Sequence, residues 1–416
     1  MPPGRLVEPQ SQLIHLNRGG NVGSYRLIMF IGPSTYTMHS SMLKSTQLTV
    51  LKYCAIGCFL VILQGLIVPA LPAATAASAT AEARLGPHEL AVIVNNDDPL
   101  SVRIGEYYQA MRHIPDANMI HIRFRPGLAT MSPAEFRAID ARVDALTPHN
   151  VQAYALTWTA PYRVGCMSIT TAFAAGFHRA YCARGCQPTK YDPYFDSPSQ
   201  APYTDFGIRP TMALAGRNFQ DVKRLIDRGV ASDGTFPRGT GYLLSTSDRA
   251  RNVRAAMYPA IVSELGNKLR LRIVRANYIT DKKNVLFYFT GIARVRALRS
   301  NHFLPGAIAD HLTSFGGVLT HSSQMSSLAW LQAGATASYG TVVEPCNLPD
   351  KFPSPGVVMR YYLKGEPLIE AYWKSVAMPG QGIFIGEPLA APYRSRAIAI
   401  PKSPTFIFGR AATNSK

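Results

Sequence analysis

The chain has 416 residues, 47% hydrophobic and 16% charged, with a formal net charge of +18. That length suits one large domain or two ordinary ones, and that apolar share is ample for a packed core. The positive balance would suit an anionic partner, yet the one dense basic run (Arg249, Arg251, Arg254, Lys268, Arg270, Arg272, Arg275) lacks the interleaved aromatics of a single-strand binder. It reads as a solvated face, and no nucleic-acid partner is expected.

Residues 1–41 are polar and patternless, are assigned no fold, and could be a wrongly assigned start upstream of Met42. The segment 42–79 is different. Lys44 and Lys52 precede an apolar run over 53–71, and Ala-x-Ala steps follow at 74–76 and 77–79. That order describes a secretory signal peptide. The alternative is a retained membrane anchor near 53–71, since about 19 residues nearly span a bilayer. Pro69 and Pro72 favour cleavage, so export to the periplasm, the cell envelope or beyond is expected.

Cleavage would leave Cys166, Cys182, Cys186 and Cys346. An even count in an exported chain suits disulfides, with Cys182–Cys186 or Cys166–Cys182 able to pair inside one loop. The zinc alternative uses His178, Cys182 and Cys186 at helical spacing, but no fourth ligand stands nearby, so no metal or cofactor is expected.

From 80 to 395 the pattern is that of an α/β unit. An apolar strand over 90–94 ends in the polar tip Asn95-Asn96-Asp97-Asp98-Pro99. A helix follows with Ser101 as its cap; a strand over 119–124 leads to a helix capped by Ser132, with Pro133 and Glu135 in its first turn. The third strand, 151–158, is almost wholly apolar. Such alternation predicts a mainly parallel sheet with helices on both faces. It stops over 160–210, a Cys- and aromatic-rich insert that reads as an excursion covering a site or as a loop stapled by cysteines.

Alternation resumes with strands over 211–215 and 241–246, helices over 219–228 and 249–265, and strands over 272–276 and 285–289. The stretch 310–346 reads as a Gly316-Gly317 turn, a loop with His321, a helix carrying Met325, Leu328, Leu331 and Ala335, and a strand over 337–343. An amphipathic helix with Leu368, Ile369, Tyr372, Trp373 and Val376 and a turn-rich segment close the unit. No internal repeat is detectable, and 396–416 reads as a tail.

Three features resemble gingipain-type cysteine peptidases of the caspase-like fold: the helix–strand join LQAGATASYGT, the turn Gly386-Glu387-Pro388-Leu389, and the strand VLFYFTG. From 89 to 393 the chain also resembles an uncharacterised family of exported bacterial proteins that accompanies exosortase-type sorting systems. LAVIVNNDDPLSVRIGEYY, WLQAGATASYGTVVEPC and EAYWKSVAMPGQGIFIGEPLA are among the stretches that carry it. The resemblance implies a caspase-like architecture, but departs from it at the reacting positions. Where a histidine would follow the strand stands Gly291-Ile292-Ala293, and where a cysteine would stand is Ser314-Phe315-Gly316-Gly317. An aliphatic and a phenyl side chain transfer no proton and attack no carbonyl.

Two readings follow. One is an inactive or altered caspase-like domain, a binding module for a protein or peptide in the cell envelope. The other is a cysteine-type hydrolase using Cys346 with His321, beside Glu344. Ser314 with His311 and Asp310 has the residue types of a triad, though set too close in line to meet. Asp97, Asp98 and Ser314 are candidate ligand-binding residues, the two aspartates for a cation or an amine.

Overall fold

A computed structural model describes residues 85–395. The expected start region 1–41, the signal or anchor segment 42–79 and the tail 396–416 lie outside the described residues. Within them, no helix is long and apolar enough to cross a membrane.

The first half of the unit is built from β1 (Leu90–Asn95), α1 (Pro99–Arg112), β2 (Met119–Ile122), α2 (Pro133–Leu146) and β3 (Ala153–Leu156). Every residue of β1 and β3 is buried, as strands covered on both faces require. Ser132 caps α2 as expected, accepting a bond from the Glu135 N–H at 3.2 Å. The cap of α1 is Asp98, not Ser101. Pro99 takes the first helical position, where its missing N–H costs nothing, and the Asp98 carboxylate accepts from Leu100 N–H at 2.9 Å. Ser101 lies inside the helix, bonded to Asn95 N at 2.9 Å and to the Thr157 hydroxyl at 2.6 Å, and so pins the ends of β1 and β3.

The 160–210 insert is ordered. It holds α3 (Ile169–Ala175), α4 (Pro202–Phe206) and two short strands that form a small sheet with Thr130–Met131. Disulfides Cys166–Cys182 and Cys186–Cys346, each with 5.4 Å between Cα atoms, tie it down. The zinc alternative is thereby corrected: both cysteines are spent on sulfur, His178 Nδ1 accepts from Ala180 N–H, and no cluster of metal-ligating side chains occurs among the described residues.

β4 (Thr211–Ala213) and α5 (Phe219–Ser232) complete the first half. The second comprises β5 (Thr240–Ser245), α6 (Tyr258–Leu265), β6 (Arg270–Arg275), β7 (Val285–Gly291), β8 (Phe303–Leu312), α7 (Leu328–Ala333), β9 (Ala337–Thr341), α8 (Pro355–Leu363), α9 (Leu368–Trp373) and β10 (Gly382–Gly386). All ten strands form one sheet in the order β2-β1-β3-β4-β10-β9-β8-β7-β5-β6. The α/β class with a mainly parallel sheet holds. The sheet reverses once: β10 runs parallel to β4 and antiparallel to β9, pairing Ala337 with Gly386 and Thr341 with Gly382. Strands β1, β3 and β4 therefore end at one edge, and β5, β7, β8 and β9 end at the opposite one.

The basic run is also corrected. Arg254 is no solvated residue: its side chain is 2% exposed and pairs with Asp310 at 2.6 Å.

Candidate functional site

The edge where β7, β8 and β9 end is where the sequence placed most of its candidates. β8 delivers Asp310 and His311 to opposite faces, because neighbouring strand residues alternate. On one face Asp310 meets Arg254 and accepts from the Tyr372 hydroxyl at 3.0 Å, while Arg254 also donates to the carbonyls of Thr290 (2.7 Å) and Pro353 (3.1 Å). Complete burial raises the Asp310 carboxyl above its usual range, and Arg254 pulls it back. On the other face His311 Nδ1 accepts from the Trp330 indole N–H and Nε2 donates to the Met325 carbonyl, each at 3.0 Å. Both nitrogens are used, which fixes a neutral ring with the proton on Nε2. Burial lowers its pKa to about 4, with Arg254 and Arg251 adding to the effect against the bond to Met325. A triad of Ser314, His311 and Asp310 is excluded by this geometry.

Beyond β8 the chain folds tightly. Thr341 donates its hydroxyl to the Ser314 carbonyl at 2.8 Å. The Phe315 N–H donates to Gln324 Oε1 at 2.9 Å, and its carbonyl accepts from the Ser322 hydroxyl at 3.2 Å. Gly316 and Gly317 then cross Gly340 of β9 so closely that a Cβ on Gly340 would lie 2.3 Å from their backbone. At the end of β7, a Cβ on Gly291 would lie 1.8 Å from the Arg251 carbonyl oxygen, so no side chain can stand there. Ile292 and Phe315 follow at the two strand ends, both half-buried.

His321 and Cys346 leave this same edge, from the loops after β8 and β9. They are not joined by a hydrogen bond. His321 is exposed, and the Cys346 sulfur is bonded to Cys186. A disulfide sulfur is no thiolate, so the expected Cys346 nucleophile is absent from this state. Glu344 serves its own turn: Oε1 accepts the Cys346 N–H at 2.9 Å and its carbonyl accepts from Gln381 at 2.6 Å. Ser314 is half-exposed, and its hydroxyl makes no hydrogen bond among the described residues. Asp97 and Asp98 stand at the opposite edge, after β1. Asp97 pairs with exposed Arg123 at 2.5 Å and Asp98 is the helix cap, so neither joins the other candidates.

Sequence reasoning missed the buried Arg254–Asp310–Tyr372 cluster beneath the strand ends. The signal was there only in part: Asp310 and His311 are the polar residues of AIADHL, and a carboxylate needs a partner only once that stretch is known to be a buried strand.

No family model matches the chain, and no curated protein matches it. Two solved structures are similar at a low level. One is the complex of Porphyromonas gingivalis RgpB pro- and mature domains, with TM-score 0.40 and 10% identity over 73% of this chain and 79% of that one. The other, described as "Structure of Protease", has the same score and identity over 74% and 79%. A likeness at that level says nothing about which side chains react.

Proposed function

We propose that the chain is a caspase-like domain without peptidase chemistry, exported and acting in the cell envelope as a binding module for a protein or peptide. One observation carries the reading. The ends of β7 and β8, where the sequence resemblance puts the reacting pair, present Ile292 and Phe315, and the cysteine that shares their edge, Cys346, is closed in a disulfide. The scaffold is supported by strand order alone: counted from β5 the second half runs 2-1-3-4-5-6 with the sixth strand reversed. Two disulfides suit an oxidising compartment, in keeping with the signal-like segment 42–79.

The test is covalent labelling of the full chain with a fluorophosphonate and with a peptidyl acyloxymethyl ketone, before and after mild reduction. No stoichiometric adduct is expected at Ser314 or Cys346. One adduct per chain at Cys346, pH-dependent and abolished by His321→Ala, would instead establish the hydrolase with Glu344 beside its thiol.

A further inference from the structure

The far end of the sheet offers a second, unrelated surface. β6, RLRIVR, is the last strand: among the described residues it pairs with β5 on one side and with nothing on the other. The register says which groups are left open. Ala276 N–H donates to the Ser245 carbonyl, and Ser245 is the partner of Arg275. In a parallel ladder that phase turns the N–H and C=O of residues 270, 272 and 274 toward β5, and those of Leu271, Ile273 and Arg275 outward.

The side chains alternate in step. Arg270, Arg272 and Val274 rise on the face where Thr240 and Tyr242 stand across from them, and the chain between β6 and β7 walls a groove of about 570 Å³ there. Arg270, Arg272 and Lys282 line this groove; among the described residues no carboxylate does, and none of the three cations forms an ion pair. Asp281, next in line to Lys282, is not among the residues that line it. On the other face Leu271 packs on the core while Ile273 remains 44% exposed.

From the open edge, the unpaired cations and the exposed isoleucine, we infer that β6 accepts an additional strand from a partner whose side chains alternate acidic and apolar. Main-chain bonds to residues 271, 273 and 275 would supply the docking, which is how strand addition holds an extended peptide. Acidic side chains would meet Arg270 and Arg272 in the groove, and apolar ones would cover Ile273, because cross-strand neighbours share a face. The arginines also set the specificity. A second copy of the chain pairing edge to edge would place cation against cation, whereas an acidic strand finds complementary charge. This surface goes beyond the function proposed above and does not rest on it: the labelling result at Ser314 and Cys346 is independent of what β6 binds.

The experiment is fluorescence anisotropy with the full chain and a labelled, acetylated eight-residue peptide of alternating Glu and Val. Binding is expected, with at least a tenfold loss for Arg270→Glu/Arg272→Glu. At least a tenfold loss is also expected for Ile273→Pro, which removes one outward N–H at a position where an edge strand tolerates proline. A peptide N-methylated at alternate residues should bind no better than background. In the unaltered chain, amide exchange at 271, 273 and 275 should slow when the peptide is added, a readout that needs no variant. No binding of the peptide would overturn the inference. So would a loss confined to the arginine variant, with Ile273→Pro and the methylated peptide unaffected, since that describes a sink for any anion rather than a strand acceptor.

Discussion

His311 is neutral because burial and two nearby arginines make a second proton costly there, outweighing the bond to the Met325 carbonyl. Its ring is fully buried, both nitrogens are engaged, and Arg251 and Arg254 repel an imidazolium. The folded ring titrates near 4, against about 6.5 when unfolded. Stability from this group is thus fully present above about pH 6.5 and is lost as pH falls through 4. Each unit of difference is worth about 1.4 kcal/mol, so the loss by pH 4.5 approaches ~3 kcal/mol. His311→Gln has no such titration. Urea unfolding at pH 7.5 and 4.5 should show the unaltered chain losing about 2–3 kcal/mol more than the variant over that interval; equal losses would mean the ring takes up its proton without cost. The residue type was legible in the sequence, but its job was not. A histidine before Leu-Thr-Ser suggests chemistry as readily as packing, and the Trp330 contact comes from 19 residues away.

At the scale of elements, the join between β8, its following turn and β9 depends on three glycines meeting backbone to backbone. Gly317 N–H donates to the Thr341 carbonyl at 2.9 Å, which holds the turn against the end of β9. A methyl at 340 would meet the main chain of Gly316 and Gly317, which cannot swing aside as a flexible side chain would. Gly340→Ala should cost about 3 kcal/mol in denaturant unfolding, at the upper end of ordinary overpacking. A cost under ~0.5 kcal/mol would show that the turn can lift off the strand. The same region shows what sequence reading recovers. The Ser132 cap was legible because capping is local chemistry, and β1 and β7 because a doubly covered strand is a plain apolar run. β8 was not: Pro305 and Gly306 break its opening, and Asp310 and His311 look like loop residues until their buried partners are known. β10 hid between Pro379-Gly380 and Glu387-Pro388, in a segment that composition marks as turns.

That hidden strand decides the layout of the whole sheet. Because β10 runs against β9, the tip at Asp97 and the loops at Ser314, His321 and Cys346 open on opposite edges, which no residue spacing could show. The reversal is locked at its far end. Glu387, fully buried just after β10, accepts from the Tyr108 hydroxyl at 2.7 Å and from Arg112 Nε at 2.9 Å, and Arg112 also pairs with Asp233. At its near end the insert is tied across the sheet. Cys186–Cys346 closes 160 residues of chain, with Lys351 Nζ donating to the Gln187 carbonyl at 2.9 Å and Asp192 N–H to the Ala377 carbonyl at 2.8 Å. A loop that long loses much unfolded-state freedom when cross-linked, and disulfides of this kind typically contribute about 2–4 kcal/mol. Cys186→Ser/Cys346→Ser should therefore lower the unfolding free energy by about that amount, because the neighbouring backbone bonds hold the folded insert but place no constraint on the unfolded chain. Amide exchange should quicken at 186–192 while β8 and β9 stay protected, since those strands keep every ladder partner. If exchange in β8 and β9 rose as much as in the insert, the disulfide would be holding the sheet edge itself, and the Cys346 loop would belong to the core of the second half rather than to its rim.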